Sequence, residues 1–270
     1  MKPQTILMKK VILMNELTIK EIKKILEKIS ELEDPRLQEF KKDNRKGVKN
    51  AIIQWEKARS KKEKLLMDYE RMSDYERSAY AQGARIIAGI DEVGRGPLAG
   101  PVLAAAVILD PNKPIIGLND SKKLSTSQKT LLYNEIHEKA LGIGVGMVEA
   151  NVIDEINIYQ ASKLAMVKAV KELDSMPDFL LIDAMKLPLQ LPQESIIKGD
   201  AKSISIAAAS IIAKVERDRL MEEYHLKYPG YGFDQNAGYG TKQHLLGLDK
   251  KGITPIHRLS FAPVKERLSI

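Results

Sequence analysis

Residues 85–92, Arg-Ile-Ile-Ala-Gly-Ile-Asp-Glu, are apolar until two adjacent carboxylates, Asp91 and Glu92, and the glycine-rich turn Gly94-Arg95-Gly96 follows almost at once. The apolar part reads as a buried strand, and carboxylates at its end stay ionised only beside a cation or strong hydrogen-bond donors. Asp183 repeats the arrangement after Phe179-Leu180-Leu181-Ile182, and Asp200 follows the short segment Ser195-Ile196-Ile197-Lys198. If these strands are neighbours, several carboxylates converge at one edge of a sheet.

The rest of the pattern supplies such a sheet. Residues 102–109 and 142–149 are further strand candidates, and because the first two links lack a long crossover helix the three strands are expected to form an antiparallel meander. A helical pattern over residues 158–173 precedes the strand at 179–183. The strand at 195–198 leads through Gly199-Asp200 into a long helix over 201–225. The expectation is an α/β fold over residues 81–270, a mixed sheet with a three-strand antiparallel meander plus parallel strands, flanked by helices and closed by a C-terminal helical tail.

Residues 1–80 read differently. They hold 20 Lys and Arg against 14 Asp and Glu, so most of the formal charge of +7 resides there. Leu17, Ile19, Ile22, Ile25, Leu26 and Ile29 recur at helical spacing, and Thr18 with Glu21 forms a capping-box pattern. Asp34-Pro35 ends that helix or begins a turn, and a charged helix runs from about residue 51 toward Ser73. This predicts a small basic helical module, either a solvated helix face or an accessory arm that binds nucleic acid.

Composition narrows the chemistry. Cysteine is absent, which excludes disulfides and thiolate metal sites and leaves oxygen or imidazole ligands. His137, His225, His244 and His257 show no zinc or triad spacing, and no Walker phosphate loop is present. The apolar patch before Lys9-Lys10 is too short for a signal segment, and no run is long enough to span a membrane, so a cytoplasmic protein is expected; a monomer is the separate expectation for its assembly. All-oxygen acidic sites suit Mg²⁺ or Mn²⁺, and two such ions about 3.5–4 Å apart can stabilise both the attacking and leaving oxygens of a phosphodiester displacement.

Each acidic residue also has a plainer use. Asp183 can cap a turn, Asp91 can pair with Arg95, and Asp200 can cap the following helix. Consecutive strand residues point to opposite faces, so Asp91 and Glu92 share a site only where the strand twists or ends.

The segment Gly89-Ile90-Asp91-Glu92-Val93-Gly94-Arg95-Gly96-Pro97-Leu98-Ala99-Gly100-Pro101-Val102 resembles the signature of the type 2 ribonucleases H, in particular the bacterial ribonuclease HII family. The likeness continues in Asn119-Asp120-Ser121-Lys122-Lys123-Leu124, Leu181-Ile182-Asp183, Lys198-Gly199-Asp200, Gly238-Tyr239-Gly240-Thr241 and His257-Arg258-Leu259-Ser260-Phe261-Ala262-Pro263-Val264, and covers roughly residues 85–265. Leu259 departs from it, since many relatives carry a second arginine there.

The resemblance implies a ribonuclease H-like fold. It implies metal-site and catalytic carboxylates at Asp91, Glu92, Asp183 and Asp200, holding Mn²⁺ or Mg²⁺. It also implies contact of Gly94, Arg95 and Gly96 with a ribose 2′-hydroxyl, and a role for Tyr239 in sensing the ribonucleotide junction. Asp120, Ser121 and Lys122 are candidate phosphate contacts, and Lys202 is placed to face the same backbone. The implied partners are RNA/DNA hybrids and duplex DNA containing ribonucleotides. The implied activity is hydrolysis on the 5′ side of a ribonucleotide, as in ribonucleotide excision. Two other readings compete: a nuclease such as a junction resolvase, which needs no 2′-hydroxyl sensor, and a non-catalytic hybrid-binding protein, which needs no complete set of carboxylates.

Overall fold

The computed structural model describes residues 17–268. The segment before Lys9-Lys10, considered above as a signal sequence, lies outside them. The chain divides after Met67 into two compact units.

The first unit is built on α1 (Ile19–Leu26), α2 (Pro35–Lys41) and the greater part of α3 (Lys46–Met72). Thr18 and Glu21 close the expected capping box. Asp34 caps α2 and Pro35 occupies its first turn, so this pair starts a helix, where the sequence left a helix end or a turn open. Ile22, Leu26, Leu37, Phe40, Val48 and Ile52 form the unit's own core.

In the second unit α4 (Asp74–Ala81) precedes a five-stranded sheet of order β3-β2-β1-β4-β5. The strands are β1 (Ile87–Val93), β2 (Val102–Ile108), β3 (Gly142–Val148), β4 (Phe179–Asp183) and β5 (Gln193–Ile196). β1–β2 and β2–β3 pair antiparallel, while β1–β4 and β4–β5 pair parallel. The meander is therefore present, but its expected cause is not. α5 (Thr126–Lys139) lies in the link between β2 and β3, opened by a Ser125–Gln128 capping box. Its apolar positions Leu132, Tyr133 and Ile136 are few, which hid its period among polar residues.

α6 (Ala150–Lys171) begins well before the expected 158, and its start was obscured because Asn157 interrupts it with a positive φ of 67°. It covers one face of the sheet through Ala161, Ala165 and Ala169, packed against Ala88, Ile90, Ala104 and Ile182. α7 (Ile204–Lys227) covers the other face, with Ala208, Ile211 and Ile212 against Ala105 and Val107. Gly89 admits α7 at close range, since a Cβ there would lie 2.1 Å from the Ser205 carbonyl carbon. That contact draws the N-terminal end of α7 down onto β1. The short helices α8 (Phe233–Asn236), α9 (Lys242–Lys251) and α10 (Ala262–Leu268) complete the unit. Among the described residues, no helix is long and apolar enough to cross a membrane.

Candidate active site

The parallel pairing of β1 with β4 ends at Ile90 and Ile182, both turned into the α6-side core. The next residues are Asp91 and Asp183, so strand alternation turns both toward α7. Glu92 alternates back, yet β1 has left β4 by then and the longer side chain reaches the same place. Ligand oxygens of Asp91, Glu92 and Asp183 all lie within 4.8 Å of one another. Parting of the two strands resolves the objection that adjacent strand residues face apart.

The cluster is electrostatically strained when it holds no cation. Burial, then Glu92 and Asp183, push the Asp91 carboxyl well above the usual range. Burial raises Glu92 as well, opposed by the Arg95 guanidinium and reinforced by Asp183. Oε2 of Glu92 is buried without a hydrogen-bond partner. Acidic oxygens gathered, buried and partly unsatisfied fit a hard divalent cation.

Asp200 stands beside this trio rather than within it. It lies in a 3₁₀ turn (Gly199–Ala201), and burial followed by Asp120 raises its carboxyl, with Lys122 opposing and Asp183 adding to the rise. Asp200 does not cap the long helix: Ser203 does, donating its hydroxyl to Glu76 at 2.6 Å and accepting from the Ile206 N–H at 3.1 Å. Asp183 does hold a turn, accepting from the Gly199 N–H at 2.6 Å, which ties the Asp200 turn to β4. Arg95 pairs with Glu92 at 3.4 Å, not with Asp91.

The proposed substrate contacts fall around this edge. Gly94 has φ +90°, and a Cβ there would lie 2.2 Å from Nε of Arg217. A Cβ on Gly96 would lie 3.3 Å from the Tyr239 ring, so the Gly-Arg-Gly loop and Tyr239 are neighbours although far apart in sequence. Tyr239 is 49% exposed, leaving its ring free for a ligand. Lys122 is exposed and 3.9 Å from Asp200, and Lys202 is exposed. Asp120 accepts from the Lys122 N–H at 2.9 Å and starts a 3₁₀ turn (Ser121–Lys123). Ser121 differs from expectation: it is buried, and its hydroxyl pairs with that of Ser210 at 3.0 Å. It anchors the turn to α7 instead of meeting phosphate.

Several contributors escaped the sequence reading. Ser210 also faces Asp91, where its hydroxyl lowers the carboxyl against the other influences. Ser203, Ser210 and Arg217 recur every seven residues, two helical turns, along a helix otherwise rich in Ala and Ile. That spacing was the available signal. Glu76 and Arg258 had none, because their partners lie more than a hundred residues away.

The ribonuclease HII family profile matches residues 88–264, and the profile described as the ribonuclease HII N-terminal domain matches residues 18–80. A ribonuclease HII of Enterococcus faecalis is 59% identical over 251 residues, 93% of this chain and 98% of that protein. That of Bacillus subtilis is 54% identical over 252 residues, 93% and 99% respectively. Among solved structures, ribonuclease H2 from Pyrococcus horikoshii OT3 matches with TM-score 0.60 and 25% identity over 68% of this chain and 98% of that one. Bst-RNase HIII in complex with Mn²⁺ shares the fold at TM-score 0.52 and 21% identity, covering 71% and 72%. Sequence, fold and the gathered carboxylates agree: this chain belongs to the ribonuclease HII family and is a ribonuclease H-type endoribonuclease.

Proposed function

We propose that the chain hydrolyses the RNA strand of RNA/DNA hybrids and cuts on the 5′ side of ribonucleotides embedded in duplex DNA, leaving a 5′-phosphate and a 3′-hydroxyl. The observation that carries this reading is the gathering of the Asp91, Glu92 and Asp183 oxygens within 4.8 Å of one another, two of them on the strand that runs into the loop touching Tyr239. A metal cluster alone fits any phosphodiesterase. A cluster continuous with a glycine-lined loop and an exposed tyrosine fits one that inspects the sugar.

Asp91, Glu92 and Asp183, with Asp200 beside them, would hold Mg²⁺ or Mn²⁺ in a two-ion arrangement. Bound there, the ions supply an activated water and charge neutralisation at the departing 3′ oxygen. The chain's own residues do the rest. Asp183 fixes the Asp200 turn through the Gly199 N–H. Arg95 is drawn to Glu92, so its backbone stays next to the cluster. The Tyr239 phenol can donate to a 2′-hydroxyl while its ring packs on the adjoining deoxyribose. Lys122 and Lys202 offer cations to the phosphates on either side.

The basic helical unit adds affinity without sequence preference. Lys57, Lys61 and Lys64 form an exposed stripe on α3 at spacings of four and three residues.

The test of the sugar-reading step is a duplex with one ribonucleotide compared with its all-DNA counterpart. Tyr239→Phe should lower kcat/KM on the ribonucleotide duplex roughly tenfold to hundredfold, the cost of about one or two hydrogen bonds to the substrate. Unchanged kcat/KM in this variant would leave the sugar unread by Tyr239.

A further inference from the structure

Arg258 and Arg217 are 0% and 1% exposed, and among the described residues neither forms an ion pair with a carboxylate. Burial of a guanidinium without a counter-ion is costly unless its donors are satisfied. Here main-chain carbonyls satisfy them. Arg258 donates through Nη2 to Gly94 O at 2.5 Å, through Nη1 to Arg95 O at 3.0 Å and through Nε to Gly100 O at 2.9 Å. Arg217 donates through Nε to Pro101 O at 3.1 Å, through Nη2 to Ala99 O at 3.2 Å and through Nη1 to Ala237 O at 2.8 Å. Five of these six acceptors belong to residues 94–101, and the sixth lies two residues before Tyr239.

The peptide planes carry the consequence. In a trans peptide the C=O of one residue and the N–H of the next point in opposite directions, and the structure has no cis peptide among the described residues. With the carbonyls of Gly94 and Arg95 turned inward onto Arg258, the N–H groups of Arg95 and Gly96 are turned outward. Neither donates to a protein acceptor among the described residues. Two consecutive outward N–H groups make a small concavity suited to an oxygen-rich ligand. The same loop is stitched to the tyrosine turn by Leu98 N–H to Gly238 O at 2.8 Å, and to Arg258's own segment by Arg258 N–H to Leu98 O at 2.9 Å.

We propose that Arg258, backed by Arg217, is a specificity-positioning residue: its guanidinium sets the two peptide planes that present the Arg95 and Gly96 N–H groups to the ribonucleotide, and holds that loop in register with Tyr239. The proposal rests on the reading of this loop and Tyr239 as the sugar-sensing elements. Asp154 of α6 supports the arrangement from the far side, accepting from the Leu259 N–H at 2.8 Å and the Ser260 N–H at 2.9 Å and so fixing the chain that follows Arg258. The Phe261 ring lies 5.0 Å from the Arg258 guanidinium carbon and supports its open face.

The test uses the full chain with Arg258→Gln, Asp154→Asn, Tyr239→Phe and the double variant Arg258→Gln with Tyr239→Phe. A second double variant joins Asp154→Asn to Tyr239→Phe. Kinetics are read on the single-ribonucleotide duplex, and Mn²⁺ binding to the substrate-free protein is read by calorimetry. Arg258→Gln should lower kcat/KM about tenfold to hundredfold and leave Mn²⁺ affinity within about twofold of wild type. Asp154→Asn, whose partners lie at the surface, should lower it about threefold to tenfold and decides the matter if Arg258→Gln does not fold. In either background the loss caused by Tyr239→Phe should shrink to less than a third of its wild-type size, because the loop and the tyrosine no longer act together. Folded Arg258→Gln and Asp154→Asn proteins with wild-type kcat/KM, or a Tyr239→Phe loss of full size in both backgrounds, would overturn the positioning role while leaving the sensing role intact. A Tyr239→Phe variant indistinguishable from wild type would instead overturn the sensing reading itself.

Discussion

Asp91 and Glu92 illustrate how little adjacency in sequence says about adjacency in space. Their side chains start on opposite faces of β1 and meet because the strand has parted from β4 by that point. Asp91 and Asp183 face the same way, for they follow the last paired residues of two parallel strands. Replacing either by Asn should remove a ligand and lower cleavage roughly hundredfold to thousandfold with the fold intact. In the metal-free protein Asp91→Asn should melt at or above the wild-type temperature, since it relieves the repulsion that raises the neighbouring carboxyls. A lower melting temperature without metal would show that the cluster is not strained in this way.

Among elements, α7 does the most positioning. Its N-terminus meets Glu76, which is buried and accepts from Ser203 Oγ and from the Ser205 N–H at 3.0 Å. An acidic group there complements the helix dipole, so Glu76→Ala should cost about 2 kcal/mol in urea denaturation, and a loss under 0.5 kcal/mol (roughly the size of a neutral surface substitution) would refute the capping role. The turn bearing Tyr239 rests on a second buried device. Thr254 N–H donates to His257 Nδ1, which leaves His257 Nε2–H to donate to His244 Nε2 and His244 Nδ1–H to donate to Tyr239 O. Both rings are thereby neutral, and burial, then His244, holds His257 down at about 4. A histidine depressed on folding stabilises fully above its unfolded value near 6.5 and loses that contribution as pH falls toward 4. Wild-type stability should therefore drop over this window by on the order of 3 kcal/mol more than that of His257→Asn, measured by denaturant titration at each pH. Parallel pH dependence in the two proteins would contradict the neutral pair.

The whole molecule was partly legible from its sequence, for reasons that differ by region. β1, β2, β4 and the capping box at Thr18 announce themselves through apolar runs and local polar contacts, which any short window contains. The carboxylates were legible because charge at the end of an apolar strand is costly and so informative. α5 was missed since its buried side is narrow, and the early start of α6 since Asn157 breaks its period. Glu76 and Arg258 were missed because each acts on a distant main-chain group or hydroxyl, an interaction that no local pattern encodes, while Ser210 and Arg217 left only their seven-residue spacing along α7 as a signal. The helical unit was legible as helix and as charge. Its stripe of Lys57, Lys61 and Lys64 predicts that the triple substitution to Gln makes the dependence of log binding constant on log salt shallower by about 2–3 units, near 0.9 for each phosphate left without its lysine. An unchanged slope would assign the stripe to solvent. The central claim, that the carboxylate cluster cuts where the adjoining loop finds a ribose, is tested most directly on one duplex carrying a single ribonucleotide, with Mg²⁺ or Mn²⁺ at equal protein concentrations. The account predicts a single cut on the 5′ side of the ribonucleotide by the wild type, no cut in the all-DNA duplex, and a cut slowed roughly hundredfold to thousandfold in Asp183→Asn; cleavage of the all-DNA duplex at a similar rate, or full activity in Asp183→Asn, would contradict it.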